Sequence, residues 1–335
     1  MKLKRWLNFS LLLIATGLSQ NLTGVGTEII TIRDLCYQQN YPAATELLAR
    51  ICNQPDKQIA GLFWQTCLLQ LLIYDFGNIG LVDSFYHTCD RVIENCSRQL
   101  KEHPDDATAH LYFGLTLLNQ ANLLSWQNKK FHAFLTLLKV KPHLQRALAL
   151  NPELYDARFG LAVIEYFKAT ADRYCFGLGL LGSRERAYQL MTEAREKAHQ
   201  LQPMAEFMLA FMYKEDHNYP AAIESCNRLL SRYPGNRTAR RLLRDIYLAM
   251  GSYQQAIALG RELEAELSAT APDNRYARSE NWLKLTYAWT GAGIPDSART
   301  YADRIINWQN YSSSVPWLSE YVREAKRMKN RQCRL

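Results

Sequence analysis

Apolar residues recur three and four positions apart along most of the chain, and the helices that this spacing predicts come in pairs. In successive central pairs the first helix carries a small residue, at Gly114, Ala162 and Ala210. Aligned on this position, the pairs begin near Val25, Ile59, Ala107, Tyr155, Pro203, Arg237 and Ser279. A recurring helix pair predicts an all-α solenoid, because each pair buries its apolar face against its neighbours.

The spacing between the pairs is uneven, with successive starts 34, 48, 48, 48, 34 and 42 residues apart. The 14 extra residues of a central pair make nearly four helical turns, so about two more turns per helix keep the apolar faces in phase. We therefore predict three elongated helix hairpins within residues 59–202, one of them with antiparallel helices over 107–126 and 130–150. Pro142 falls inside the second of these helices and is expected to kink or restart it.

The chain resembles the tetratricopeptide repeat family, most clearly over residues 203–235. The residues that match the family pattern there are Leu209, Ala210, Tyr213, Tyr219, Ala222 and Pro234. The matching residues of the next pair are Leu243, Tyr247, Gly251, Tyr253, Ala256 and Leu263. Two positions depart from the pattern, since Arg244 stands at a small-residue site and Gly260 at a site for a bulky one. The resemblance implies a right-handed helical-repeat solenoid that works by binding other molecules.

This pattern divides the chain into five segments. They are a signal peptide over 1–19, a weak N-terminal repeat over 25–58, three elongated repeats over 59–202, three tetratricopeptide-type repeats over 203–310, and a capping helix with a basic tail over 314–335. Lys2, Lys4 and Arg5 precede an apolar stretch over 7–18, which is shorter than the roughly 20 residues that span a bilayer. We expect export to the periplasm or cell envelope, with secretion or an N-terminal membrane anchor as alternatives.

The formal net charge of +8 is concentrated at the two ends of the chain. The signal supplies three of these charges and residues 320–335 supply four, which leaves one for the rest of the chain. Proteins that bind nucleic acid usually carry a basic stripe along the folded surface, so we do not expect nucleic acid as a partner.

Eight cysteines in an exported chain permit disulfide bonds. Cys36 and Cys52 lie on the two predicted helices of the first repeat and form the best candidate pair. The alternative is that most of the cysteines are small core residues.

In the tetratricopeptide repeat family the inner groove is lined by residues of the first helices. Carrying those positions over gives a candidate ligand or partner groove of Leu111, Leu115, Phe159, Val163, Tyr166, Phe167, Phe207 and Phe211. An apolar, aromatic lining suits an amphipathic helix or an extended peptide with large side chains. The alternative is that the elongated hairpins fill this groove with their own side chains, since an aromatic stripe at helical spacing is also typical of a core.

A second candidate surface is an apolar loop between the helices of the third elongated hairpin, formed by Phe176, Leu178, Leu180 and Leu181. This loop can fold back as core, insert into a membrane surface or dock on a partner. Its glycines also match a dinucleotide-binding pattern, but that pattern should follow a strand, and none is expected in an all-helical array.

The sequence contains no motif that carries catalysis or holds a metal, so we expect neither an enzyme nor a cofactor. The favoured hypothesis is a non-enzymatic scaffold of the cell envelope that holds a protein or peptide segment in the aromatic groove. The alternative is a helper of a transporter or lipid pathway that binds a small apolar ligand in the helical interior. A membrane surface is a further candidate partner.

Overall fold

The computed structural model describes residues 26–174 and 182–332, and within these ranges all regular structure is helical. The fifteen α-helices of the described residues are α1 (26–37), α2 (Tyr41–Ile51), α3 (Gln58–Phe76), α4 (Val82–Glu102), α5 (Ala107–Trp126), α6 (Lys130–Leu150), α7 (Tyr155–Tyr174), α8 (Arg184–Lys197), α9 (Gln202–Glu215), α10 (Tyr219–Arg232), α11 (Arg237–Ala249), α12 (Tyr253–Thr270), α13 (Arg275–Gly291), α14 (Pro295–Ile306) and α15 (Leu318–Gln332). Short 3₁₀ helices lie at Ile79–Leu81 and Gln309–Tyr311.

Each helix packs chiefly against the helix before it and the helix after it, and α5 also packs against α3 and α7. This arrangement confirms the predicted all-α class and the predicted pairing of consecutive helices. It is consistent with a helical repeat array, in which every pair needs its neighbours to bury its apolar face.

The turns within five of the pairs share one backbone geometry. The second residue after the end of the first helix adopts a positive φ at Gln39, Asn128, His217, Gly251 and Gly293. The next residue then donates its N–H to the carbonyl five positions earlier, as Asn218 does to Tyr213 at 2.8 Å and Ser252 to Tyr247 at 2.8 Å. This bond is the Schellman cap, which satisfies the last carbonyls of a helix while it reverses the chain.

The turns between pairs use a shared cap at the start of the next helix. Asp106, Asn236 and Asn274 each precede a first helix and accept a hydrogen bond from the N–H three residues on. The donors lie 2.8 to 3.0 Å away and are Ala109, Ala239 and Ala277. A side-chain oxygen at this position satisfies an N–H that the first helical turn leaves unpaired. The repetition of one cap sets the start of several first helices.

One predicted elongated hairpin is present, since α5 and α6 coincide with the predicted ranges 107–126 and 130–150, whereas α8 of the third predicted hairpin has only 14 residues. Helices of 20 and 21 residues are about 30 Å long, whereas the 14 residues of α9 give about 21 Å. The hairpin of α5 and α6 is therefore roughly 9 Å longer than the regular pair of α9 and α10. Pro142 lies inside α6, which continues through it as one helix and does not restart there.

A single large hydrophobic core runs from α1 to α9, and smaller clusters fill the pairs that follow. α3 lies in the middle of the large core. By length and composition α3 is apolar enough to cross a membrane, and 61% of its most apolar stretch is buried inside the structure. It carries side chains that pack on every side, such as Leu62, Trp64 and Leu68.

The first helix also packs against turns that lie far away in the sequence. Arg33 of α1 donates from Nη1 to the carbonyl oxygen of His199 at 3.0 Å. The rings of Tyr37 and Tyr233 are 5.2 Å apart, and Asn236 donates to the carbonyl oxygen of Tyr37 at 2.8 Å. These contacts join α1 to the segments that begin α9 and α11.

The buried carboxylate of Asp75, near the end of α3, makes further long-range contacts with two later helices. Arg237 of α11 donates to it, and Nη1 of Arg241 lies 3.1 Å from Oδ1. Asn274, which caps α13, donates to the main-chain oxygen of Asp75 at 3.1 Å. The chain therefore closes on itself through contacts that a strictly linear repeat array would lack.

The predicted disulfide between Cys36 and Cys52 is wrong, because both cysteines are free. Cys36 is buried in the large core, whereas Cys52 is half-buried and lies 3.9 Å from the amide oxygen of Gln65. Burial raises the pKa of Cys67 to about 12, despite hydrogen bonds from Asn119 and Thr66 that lower it. The described cysteines therefore serve as apolar core residues, the alternative that the sequence left open.

Candidate functional site

The structure places most of the predicted groove residues in the interior. Five of the eight are buried in the large core that α1 and α3 share, namely Leu111, Leu115, Phe159, Val163 and Tyr166. The hydroxyl of Tyr166 also lies 3.4 Å from the main-chain oxygen of Met212. In this structure these five side chains contact the rest of the chain and are not open to a ligand.

The other three predicted groove residues are more accessible. Phe207 and Phe211 are half-buried and pack with Leu242 and Tyr219 in the cluster around α9 to α11. Phe167 of α7 is 45% exposed. The predicted apolar loop of Phe176, Leu178, Leu180 and Leu181 lies outside the described residues.

A different apolar surface is open to solvent on the first half of α6. Phe131 is 69% exposed, Phe134 39%, Leu135 42% and Leu138 49%. Their spacing of three and four residues places them on one side of the helix. We refer to these four residues as the α6 tip face, because they lie near the end of the elongated hairpin. Large apolar side chains gathered in this way make the face a candidate contact surface.

The opposite side of α6 accounts for its place in the core. Ala133, Val140, Leu144 and Ala147 are all buried. Leu144 lies so close to Gly114 of α5 that a β-carbon there would come within 2.6 Å of Leu144 Cδ2. α6 is therefore apolar on two opposite sides, and only one of them is used by the fold.

The charges around the tip face have one sign. No aspartate or glutamate occurs from Ala107 to Pro152, whereas this stretch holds Lys129, Lys130, Lys139, Lys141 and Arg146. Lys141 pairs with Glu165 of α7 at 3.5 Å, and Arg146 pairs with Asp105. Among the described residues, the other three lysines have no ion pair within 4.0 Å, which leaves their charge available to a partner.

Two histidines join α5 to α6 on the core side of the hairpin. His110 Nε2 lies 3.2 Å from the carbonyl oxygen of Pro104, which can only accept, so the neutral His110 ring donates there. Its Nδ1 then accepts from Nδ1 of His143 at 3.1 Å. Burial and the neighbouring His110 lower the pKa of His143, which favours the neutral form of that ring. Phe113 stacks on His143 with the ring centres 3.9 Å apart.

The most deeply buried charge lies between α11 and α13. Arg244 donates to Glu280 at 2.6 Å, to Asp245 at 2.9 Å and to Asn281 at 2.7 Å. Although burial opposes its charge, Glu280 and Asp245 raise the pKa of Arg244 above its ordinary value. Burial also opposes the charge of Asp245, but Arg244 and Lys284 lower its pKa overall. All three side-chain nitrogens of Arg244 are paired in this way, so the network joins α11 to α13, although Oε2 of Glu280 is buried without a hydrogen-bond partner.

Within the described residues, no three His, Cys, Asp or Glu side chains come together as a metal site requires. No protein-family model matches the chain, and no curated protein matches it. The chain is therefore assigned here only to the all-helical, repeat-like class that its packing shows.

Sequence reasoning missed the tip face, although two signals for it are present in the sequence. The first is the apolar set at 131, 134, 135 and 138, which lies opposite a second apolar set at 133, 140, 144 and 147. The second is the absence of acidic residues over 107–152. Neither signal stands out, because a single apolar stripe on each helix already accounts for the packing of a core.

Proposed function

We propose that this chain is an exported, non-enzymatic binding protein of the cell envelope, built from tetratricopeptide-like helix pairs. The recurring caps at both kinds of turn support the repeat assignment, since identical turns at corresponding places are what a repeated unit produces. The binding surface that we propose is the α6 tip face and not the filled part of the predicted groove.

The observation that carries this proposal is the exposure of four large apolar side chains on one side of α6. The helix already buries another side in the core, so the exposed side is not needed for folding. The same side of α6 becomes polar or small further along, at Gln145, Arg146 and Ala149. Apolar exposure is thus limited to the part of α6 near the end of the elongated hairpin.

The alternative of a small apolar ligand in the helical interior has less support. The interior of the central pairs is occupied by core side chains, including Trp64 and Phe63 of α3. The indole of Trp64 donates to Gln200 at 2.9 Å, which fixes it across the space between α3 and the start of α9. A ligand there would have to displace packed and hydrogen-bonded side chains.

Site-specific photo-crosslinking in cells that express the full chain tests the proposed surface. A photoreactive residue replaces Leu135 or Leu138 in separate variants, and a third variant carries it at Gln145, which is exposed on the same helix. We expect lipid or protein adducts at the first two positions, none at the third, and their loss when Phe131→Ser is added. Adducts at Gln145 alone, or adducts that Phe131→Ser leaves unchanged, would show that the tip face is not the binding surface.

A further inference from the structure

The apolar and basic side chains of the tip face favour one class of partner. The inference of that class rests on the proposed binding function of the face. We infer that the α6 tip face binds the surface of an anionic lipid bilayer. The shape of the face, the position of the lysines beside it and the absence of acidic residues in the hairpin all favour such a surface.

The face is convex and short. Phe131 and Leu138 are seven residues apart, which is about two turns or roughly 10 Å along the helix. A single ridge of this size provides no groove into which a partner's side chains could insert. It does fit the interface between lipid headgroups and acyl chains, into which the apolar side of an amphipathic helix sinks by roughly 5–10 Å.

The lysines border this ridge on both sides. At about 100° per residue, Lys130 and Lys139 lie about 90° to either side of its centre, and Lys141 lies about 70° from it. A lysine at the edge of a buried apolar stripe can lay its methylene chain along the membrane interface while its ammonium group stays with the headgroups. Because Lys141 is paired with Glu165, we assign the headgroup contacts to Lys130, Lys139 and the adjacent Lys129.

The charge of the whole hairpin agrees with a negatively charged surface as the partner. All five ionisable cations between Ala107 and Pro152 are uncompensated within that stretch, since no acid occurs there. Outside this stretch and the two ends, the rest of the chain carries a net charge of −4, so this concentration of positive charge is local. Basic residues near an anionic leaflet each contribute roughly a fivefold gain in binding. An acidic protein helix would also attract such charge, but it would need a complementary apolar groove of its own, whereas a bilayer needs none.

Vesicle co-sedimentation of the purified full chain tests the inference. The vesicles contain either phosphatidylcholine alone or phosphatidylcholine mixed with phosphatidylglycerol. We expect binding to the mixed vesicles that falls by about a hundredfold in the triple variant Lys129→Gln, Lys130→Gln and Lys139→Gln. Binding should also fall by about tenfold or more in the variant Phe131→Ser with Leu138→Ser, since both side chains would leave the acyl boundary.

Matched controls separate this face from the rest of the surface. The variant Arg50→Gln, Lys101→Gln and Arg261→Gln removes the same charge from exposed positions elsewhere, and Ile79→Ser with Ile294→Ser removes exposed apolar side chains elsewhere. Circular dichroism establishes that all variants remain folded. The control variants are expected to bind as the unmodified chain does.

The outcomes distinguish the two proposals. Binding that the tip-face variants leave unchanged, or that the controls reduce equally, overturns the lipid inference. If the chain binds neither kind of vesicle while the photoreactive residue at position 135 still gives protein adducts in cells, the partner is an acidic protein. The proposed function then stands. If neither vesicle binding nor cross-links are found, the proposed function fails together with the lipid inference.

Discussion

Residues that look unrelated in the sequence can be direct neighbours in this fold. The sequence shows two departures from the repeat pattern, Arg244 at a small-residue site and Gly260 at a bulky one. In the structure they are neighbours, since a β-carbon on Gly260 would lie 3.7 Å from Cδ of Arg244 and 2.7 Å from Leu285. Leu285 occupies the space that a bulky residue at position 260 would fill, and the arginine packs beside it. Two apparent misfits thus form one packed arrangement.

Because Arg244 is fully buried, its removal should be costly. We expect Arg244→Met to lower the free energy of unfolding by about 3–5 kcal/mol, because Glu280 is left without its charged partner. Adding Glu280→Gln should restore part of this loss, with a coupling energy of about 0.5–3 kcal/mol. Urea denaturation of the single and double variants measures both quantities.

The control for this prediction is an exposed ion pair on α15. Arg327 is mostly exposed and pairs with Glu324, so Arg327→Met should cost less than about 1 kcal/mol. If Arg244→Met proves as mild as Arg327→Met, the buried network contributes little to stability.

At the scale of elements, the sequence predicts well wherever structure depends on near neighbours. The bounds of α5 and α6 follow from apolar phase and from the helix-ending turn at residues 127–129. A further local signal is the identical pentapeptide Asn-Tyr-Pro-Ala-Ala at 40–44 and 218–222. In both places the asparagine caps a second helix and the proline occupies its second position. Helix caps of this kind can be predicted from the sequence because the interacting groups lie within a few residues of each other.

Pro142 is the exception within the elements, since a restart of the helix there was one expectation and α6 continues through the proline without restarting. It lacks the N–H that would bond the carbonyl of Leu138, the last residue of the tip face. We expect Pro142→Ala to raise the free energy of unfolding by about 1–3 kcal/mol, because the missing hydrogen bond forms and the helix gains a favourable residue. Urea denaturation followed by circular dichroism measures this change.

Gln145 provides the comparison for Pro142 on the same exposed side of α6. Gln145→Ala should change stability by no more than about 0.5 kcal/mol, as is usual for a surface substitution. A variant Pro142→Ala that is no more stable than the unmodified chain would mean that the proline ring makes contacts that compensate for its lost hydrogen bond.

At the scale of the whole molecule, the arrangement of α1 and α3 could not be predicted from the sequence. Asp75 and Asn274 are 199 residues apart, and nothing in the period of the repeats says that they meet. The same closure buries the aromatic side chains that a simple groove would expose. The predicted groove residues were chosen by position in the repeat, and burial depends on how far the array curls, which no single repeat encodes.

Closure of the array should make distant pairs unfold together, and Asp75 is the residue that tests this. We expect Asp75→Ala to lower the free energy of unfolding by about 3–5 kcal/mol, because Arg237 and Arg241 lose a buried counter-charge. Amide hydrogen exchange should rise at the starts of α11 and α13 as well as in α3.

The control is Glu206→Ala, which removes a buried carboxylate paired with Arg228 of the adjoining helix at 3.0 Å. Its increase in exchange should stay within α9, α10 and their immediate neighbours. If Asp75→Ala raises exchange only in α2 to α4, the pairs are coupled through nearest neighbours alone and the closure contributes nothing to cooperativity.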